Sequence, residues 1–526
     1  MDESGVIHVD RWSLLSITAM LAFLSPDHED SPMDMPTLPF ANTYARLPPR
    51  FYARINPVPV HDPGMIRFNQ ELAQELGLDA AVLAGAAGAL IFGGNQVPEG
   101  AEPLAMAYAG HQFGHFNPQL GDGRAILLGE VADREGRRFD VQLKGAGRTP
   151  FSRGGDGRAQ LGPVLREYVL CEFMHAMGIP TTRALAAVST GEQVARERLY
   201  PGGIITRVSA SFVRVGTFQF FAAHGHREAL QQLLDYVIAR NYPELQAHPR
   251  PWLGLLDAVV RRQAALIARW MQTGFIHGVM NTDNMSIAGE TIDYGPCAFM
   301  DTYQADTVYS SIDREGRYAY RNQPAMAHWN LCRLAEALLP LAVEPEEALE
   351  AAQAVINAFP EHYEAAWLAG MCAKLGLEAA EEGDRVLVED WLGLLETGRA
   401  DFTLAFRALS KLGTVADPVQ DAGLQTCFEK PAGLADWLER WRARLTREVC
   451  TEQARRARMQ AVNPLYIPRN HRLEQAIRAA EDHDDFGPFQ ALVTVLAQPF
   501  RERPAAAGYE RPPAAGEAVL QTFCGT

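Results

Sequence analysis

The stretch His277-Gly278-Val279-Met280-Asn281-Thr282-Asp283-Asn284, followed closely by Asp293-Tyr294-Gly295, decides how this chain is read. It has the frame of a protein-kinase catalytic loop, H-R-D-x-x-x-x-N, and then of the D-F-G turn that holds a metal ion. Val279 stands where that frame has its aspartate. The aspartate accepts the proton of the attacking hydroxyl, and valine has no basic atom to do so. Asn284 and Asp293 keep the oxygen donors that a hard cation takes. Asp283, beside Asn284, is a carboxylate that can stand in as base. His277 reads as a structural loop histidine. The pattern fits a metal–nucleotide complex but not ordinary γ-phosphoryl transfer.

Working upstream, residues 124–131 read as a strand, 133–136 as a turn and 139–144 as the next strand. A Gly-rich loop spans 145–157. A helix is expected over 163–177, stopped at Gly178, and further strands over 182–188 and 203–208. From about residue 227 the pattern turns helical, including 230–239 and 251–273, the segment that leads into the catalytic-loop frame. Residues 285–292 read as a short hairpin leading into Asp293. Everything from Gln323 onward is expected to be mainly helical. Nearer the N-terminus, 68–83 reads as helical and the Gly/Ala-rich 85–94 as a packed turn.

This order is that of an α+β, protein-kinase-like two-lobed fold, with a small strand-rich lobe, a helical large lobe and a helical C-terminal extension. The expected divisions are 1–36, a poorly ordered N-terminal extension; 37–118, an N-terminal region; 119–225, the small lobe; 226–420, the large lobe with the catalytic loop; and 421–526, a C-terminal helical region and tail.

Several residues in this order suit a nucleotide. Gly121-Asp122-Gly123-Arg124 opens a strand, and Lys144 lies on the next one. A glycine turn lets backbone amides approach phosphates, and a lysine from an adjacent strand neutralises them. Such a turn alone is most often a plain turn; Lys144 at kinase-like spacing gives it meaning. A helix glutamate normally clamps that lysine, and both Glu167 and Glu172 are available. Periodicity does not choose between them. Arg207 and Arg214 carry forked donors suited to phosphate oxygens. Asp156-Gly157 forms a second candidate phosphate loop.

Bulk composition narrows the class. The chain has 526 residues, 47% hydrophobic and 21% charged, which is ordinary for a globular protein of several domains. Its formal net charge of −16 argues against a nucleic-acid partner, which needs a basic footprint. Its seven cysteines form no CxxC and no zinc spacing, so a reducing cytoplasm is the expected location. The apolar run 14–24 is too short to span a bilayer, and its acidic flank is wrong for a signal peptide. No membrane partner is expected.

Longer motifs carry a resemblance. Tyr108-Ala109-Gly110-His111-Gln112-Phe113-Gly114 and Pro118-Gln119-Leu120-Gly121-Asp122-Gly123-Arg124-Ala125 resemble the signature of the selenoprotein O family. So do Leu143-Lys144-Gly145-Ala146-Gly147-Arg148-Thr149-Pro150-Phe151-Ser152-Arg153 and the 277–296 block. The likeness extends through Asn322-Gln323-Pro324, Trp329-Asn330-Leu331, Asn463-Pro464 and Arg469-Asn470-His471, and covers roughly residues 40–526.

The resemblance implies a protein adenylyltransferase on a divergent kinase fold. ATP is then held in a flipped orientation, and AMP passes to a serine, threonine or tyrosine hydroxyl of a protein substrate. By position, Asp283 is implied as the base, and Asn284 and Asp293 as ligands of Mg²⁺ or Mn²⁺. Gly121, Gly123, Arg124, Lys144, Asp156, Gly157, Arg207, Arg214 and Asp293 are implied as ATP contacts. Lys144 is implied to pair with Glu167 instead of Glu172. Pyrophosphate is the leaving group of such a transfer, and several cations deep in the cleft suit its developing charge.

The family's redox residue near the C-terminus falls on Cys524. The partner cysteine that some members carry after the metal-binding turn has no equivalent in Thr307-Val308-Tyr309-Ser310-Ser311; Cys297 is the only nearby thiol. The alternatives are a kinase-like phosphotransferase, which Val279 opposes, and UMP transfer from UTP. Asp293→Ala is expected to abolish metal-dependent nucleotide turnover while leaving the nucleotide-free melt nearly unchanged.

Overall fold

The computed structural model describes residues 38–523. It is a mixed α/β structure with a sheet-rich N-terminal region and a helical C-terminal region. The expectations on residues 1–36 and on Cys524 lie outside the described residues.

The principal sheet is antiparallel throughout. Its strands are β1 (Tyr52–Arg54), β2 (Gly64–Phe68), β3 (Leu104–Met106), β6 (Ala125–Ala132), β7 (Arg138–Lys144), β8 (Ala159–Gln160), β9 (Arg183–Ala195) and β10 (Leu199–Ser209). The order is β1-β3-β6-β7-β10-β9-β2, with β8 on β10. A separate hairpin, β4 (Gly110–Gln112) and β5 (His115–Asn117), stands off this sheet. Three strands of the principal sheet and both strands of the hairpin thus come from the segment before residue 118, where the sequence predicts loops and a helix.

The sheet is covered on both faces, so its central strands read as continuous apolar runs. Alternation still decides which core each side chain enters. Leu127 and Ile205 pack with Leu165 and Val169 of the helix Leu161–Ala176. Ile126, Leu128 and Ile204 point the other way, onto Leu72, Ile91 and Phe92. Ile91 and Phe92 correct one expectation: 85–94 is not a turn, because Ala86–Phe92 is a helix. Its alanines and leucine favour that state strongly enough to absorb one internal glycine.

The hairpin expected over 285–292 is also absent. The backbone of Met285 and Ile287 bonds to Val215 and Val213, and that of Thr291 bonds to Pro180 and Thr182. Each arm finds partners on a neighbouring segment before it can pair with the other. The result still delivers Asp293, now anchored from two sides.

The helix Pro251–Thr273 is buried along most of its length and leads directly into the 277–284 loop. Downstream helices buttress the sheet. Phe489, in the helix Gly487–Leu496, meets Tyr168 edge-on at 5.7 Å, and Glu481 accepts from the Gly162 backbone at 2.7 Å. Both contacts fall on the helix that carries Glu167. Near the C-terminal limit of the described chain, Thr522 bridges Ser310 in parallel and donates its hydroxyl to the Pro296 carbonyl at 2.6 Å. No helix among the described residues is long and apolar enough to cross a membrane.

Candidate active site

A cleft of about 480 Å³ lies between the sheet and the 277–296 segment. Gly121, Gly123, Arg124, Lys144, Asp156, Gly157, Arg207, Arg214, Asp283, Asn284 and Asp293 all line it. They come from the β6 entrance, the end of β7, the loop after it, β10, the turn before the helix Val215–Ala223, and the catalytic-loop frame. Antiparallel pairing of β10 with β7 sets Arg207 opposite Gln142 and Ile205 opposite Lys144, so the two cations rise from adjacent strands.

Asp293 is the hub. Its Oδ1 is 2.7 Å from Arg207 and 3.9 Å from Lys144, and its Oδ2 is paired with Arg214. Burial works against its charge, but Arg214, Arg207 and Lys144 outweigh burial and hold the carboxyl well below the usual range. Asp293 also has a left-handed backbone, φ +57°, a conformation that few non-glycine residues adopt and that aspartate tolerates better than most.

Glu167 is the second anion. Its Oε2 accepts from Lys144 Nζ at 2.7 Å and its Oε1 from Arg207 Nε at 2.5 Å. Burial, and next the neighbouring Arg207, lower the Lys144 pKa, with Glu167 opposing them. Glu172 faces elsewhere: it binds Arg183 at 2.9 Å and Asn69 at 2.8 Å. The two glutamates that periodicity left open therefore have separate partners.

Arg214 is almost wholly buried. Besides Asp293, it donates to the main-chain carbonyl of Asp283 at 2.5 Å and lies 4.8 Å over the Tyr108 ring. Asp283 accepts from Gln112 Nε2 at 3.2 Å through Oδ2, and burial raises its carboxyl to about 6. Asn284 donates its amide nitrogen to the Val279 carbonyl at 2.9 Å, which leaves its oxygen as an acceptor in the cleft. His277 is fully buried, hydrogen-bonded to the Ile292 carbonyl at 2.9 Å and stacked on Trp270. It does not line the cleft.

The glycine loops fold against each other. Gly157 has φ +70°, and a Cβ there would sit 2.0 Å from the Gly147 carbonyl oxygen. Asp156 is held by Arg196, with Nη1–Oδ2 at 2.8 Å and Nη2–Oδ1 at 3.0 Å.

Arg196 is one cleft residue that the sequence reading missed, and no local pattern marks it. Asp122 is another. It is buried and accepts from the Met106 backbone at 3.1 Å and from Gln142 at 3.2 Å. Burial lifts its carboxyl to about 6 against the pull of Arg214. Its signal was present: a charged residue between two glycines, in a loop expected to reach phosphate. Tyr108 and Gln112 also line the cleft, from a motif quoted for resemblance alone, and Asn281 does so from within the catalytic-loop frame.

Among the described residues, no cluster of three or more His, Cys, Asp or Glu side chains can hold a metal unaided. The cleft does hold Asp293, kept anionic, with the Asn284 oxygen lining the same space. Two protein oxygens, completed by phosphates and water, are a set that Mg²⁺ accepts, and Mn²⁺ suits similar donors.

Comparison with known proteins places the chain in a family. The family described as "Protein adenylyltransferase SelO" matches residues 34–497. A "Protein nucleotidyltransferase YdiU" from Rhizobium etli is 59% identical over 488 residues, 93% of this chain and 97% of the relative. A protein of the same name from Rhizobium rhizogenes is 58% identical over 501 residues, 95% of this chain and 99% of the relative. Another, from Rhodopseudomonas palustris, is 59% identical over 489 residues, 93% and 99% of the two chains.

Proposed function

Since the chain belongs to the SelO family of protein adenylyltransferases, we propose that it moves AMP from ATP onto serine, threonine or tyrosine hydroxyls of protein substrates and releases pyrophosphate. That it is a nucleotidyltransferase follows from the family itself.

The observation that carries the finer reading is the charge layout of the cleft. Lys144, Arg207 and Arg214 converge on Asp293, while Asp283 lies by the frame position that Val279 leaves without a base. In the proposed reaction an acceptor hydroxyl gives its proton to Asp283 and its oxygen attacks the α-phosphorus of ATP. The bond from the α-phosphorus to the β-bridging oxygen breaks, and pyrophosphate leaves with the electron pair. Lys144, Arg124, Arg207 and Arg214 stabilise the charge that develops on it. Asn284 and Asp293 would hold a divalent cation, Mg²⁺ or Mn²⁺, whose chemistry is to neutralise phosphate oxygens. Gly121, Gly123, Asp156 and Gly157 shape the loops over the nucleotide.

The scaffold reading is a kinase-like two-lobed fold, with the divisions given above. It is supported by the sheet strand bearing Lys144, the helix bearing Glu167, and the order in which the loop and the Asp293 turn follow. A cytoplasmic location goes with this reading.

The test uses ATP labelled at either the α- or the γ-phosphate, Mg²⁺ or Mn²⁺, and the protein of a desalted cell lysate as acceptor. Protein-bound α-label, with a mass gain of one AMP on a hydroxyl residue, is expected. Protein-bound γ-label would restore the kinase reading, and transfer from α-labelled UTP in preference to ATP would make the group UMP.

A further inference from the structure

The hairpin β4–β5 is bonded to the catalytic-loop frame at several points. The His111 backbone donates to Thr282 Oγ1 at 2.7 Å, and the Phe113 backbone donates to Asn281 Oδ1 at 3.1 Å. His111 Nδ1 is 2.8 Å from Gln219 Nε2, and the oxygen of the same amide accepts from Thr282 Oγ1 at 2.6 Å. Tyr318 donates to Asn281 Oδ1 at 2.8 Å from the far side. Hairpin and loop are therefore tied together by a continuous set of hydrogen bonds.

Between these bonds the hairpin grips Asp283. Gln112 Nε2 donates to Oδ2. Gly110 lies against the other side of the carboxylate: a Cβ there would fall 2.6 Å from Oδ1, 2.9 Å from Cβ and 3.0 Å from Cγ of Asp283. Only a residue without a side chain fits. Oδ1 is buried and has no hydrogen-bond partner among the described residues. Beside the influence of its own backbone amide, the carboxylate is held by the Gln112 side chain and the Gly110 backbone wall, and Gln112 is the sole side chain among the described residues that hydrogen-bonds its oxygens.

We propose that Gln112 is a positioning residue for adenylyl transfer, holding the Asp283 carboxylate in the orientation that receives the acceptor proton. The proposal rests on the reading of Asp283 as base. A base held in line needs no reorganisation when the hydroxyl arrives, whereas a freely rotating carboxylate spends much of its time misaligned.

The experiment compares wild type with Gln112→Ala, Gln112→Asn, Asp283→Asn and the double variant Asp283→Asn with Gln112→Ala. It measures transfer of α-labelled AMP to lysate protein, nucleotide affinity and thermal melting. Gln112→Ala is expected to lower kcat roughly 10-fold, a part of what general-base catalysis supplies, with nucleotide affinity and melt unchanged. Gln112→Asn, one methylene shorter, should behave the same. In the Asp283→Asn background, losing Gln112 should cost nothing further, because its effect runs through Asp283. A full rate in Gln112→Ala, or an undiminished extra loss in the double variant, overturns the proposal. A full rate in Asp283→Asn would instead overturn the base assignment itself.

Discussion

The Arg214 guanidinium is ion-paired with the Asp293 carboxylate in the floor of the cleft, and both are held by further partners. An aspartate read from its motif as a metal ligand therefore also neutralises two buried arginines. This dual duty changes what its removal should do.

Asp293→Asn is expected to abolish metal-dependent nucleotide turnover. It should also lower the nucleotide-free melt, against the sequence-based expectation of no change. Arg207 keeps Glu167, but Arg214 would be left with only Asp122, 3.9 Å away, and leaving a buried charge poorly compensated costs roughly 3 kcal/mol or more. Calorimetry without nucleotide checks this. An unaltered melt would mean that solvent reaches the arginines more freely than their burial indicates.

Glu167 and Glu172 lie on one helix but face different partners. Glu167→Gln leaves Lys144 and Arg207 with Asp293 as their shared carboxylate, so kcat/KM should fall by about 10-fold or more, given the strength of buried charge pairs. Glu172→Gln loosens Arg183 and Asn69, outside the cleft, and should leave turnover near wild type. Equal losses in both variants would point to helix packing in place of the ion pair.

Gly157→Ala should weaken nucleotide binding while the global fold survives. The new Cβ would collide with the Gly147 carbonyl, and the φ of +70° disfavours any side chain. The affected loop is at the cleft rim, so the expected signature is a raised KM for ATP with little change in melting temperature. Gly154 has a similar φ but open space around it, so Gly154→Ala is the milder control.

Lys374 sets a pH dependence of stability. It is buried, its ammonium 4.1 Å over the Phe406 ring, and burial lowers its pKa from 10.5 to about 7. Below pH 7 the lysine is charged in both folded and unfolded chains, and the burial penalty is complete. Between about 7 and 10.5 the unfolded chain keeps a proton that the folded chain has released, so this group's contribution to stability rises with pH. Lys374→Met should be more stable than wild type at about pH 6, with the gap closing toward about pH 9. Urea denaturation of both proteins at the two pH values checks the sign.

Sequence alone determined the elements whose signals are local. Pro251 and Gly274 bound a helix at the residues where the pattern placed its ends, because the constraints of proline and glycine act over one turn. The strands around Asp133–Gly136, and the register of Asn284 and Asp293 after Val279, were legible for the same reason. Sequence failed where partners are distant. The 285–292 arms formed no hairpin because Val213, Val215, Pro180 and Thr182 offered their backbone groups first. The helix over 86–92 was missed for a local reason instead: its alanines and leucine outweigh the glycines that read as a turn. The resemblance pointed to Glu167 over Glu172, but only the tertiary structure gave each glutamate its partners, tied Asp156 to Arg196, and brought Gln112 to Asp283 across 171 positions of chain. Such pairings come from which faces the sheet and helices bury together, and no local window of sequence contains that information.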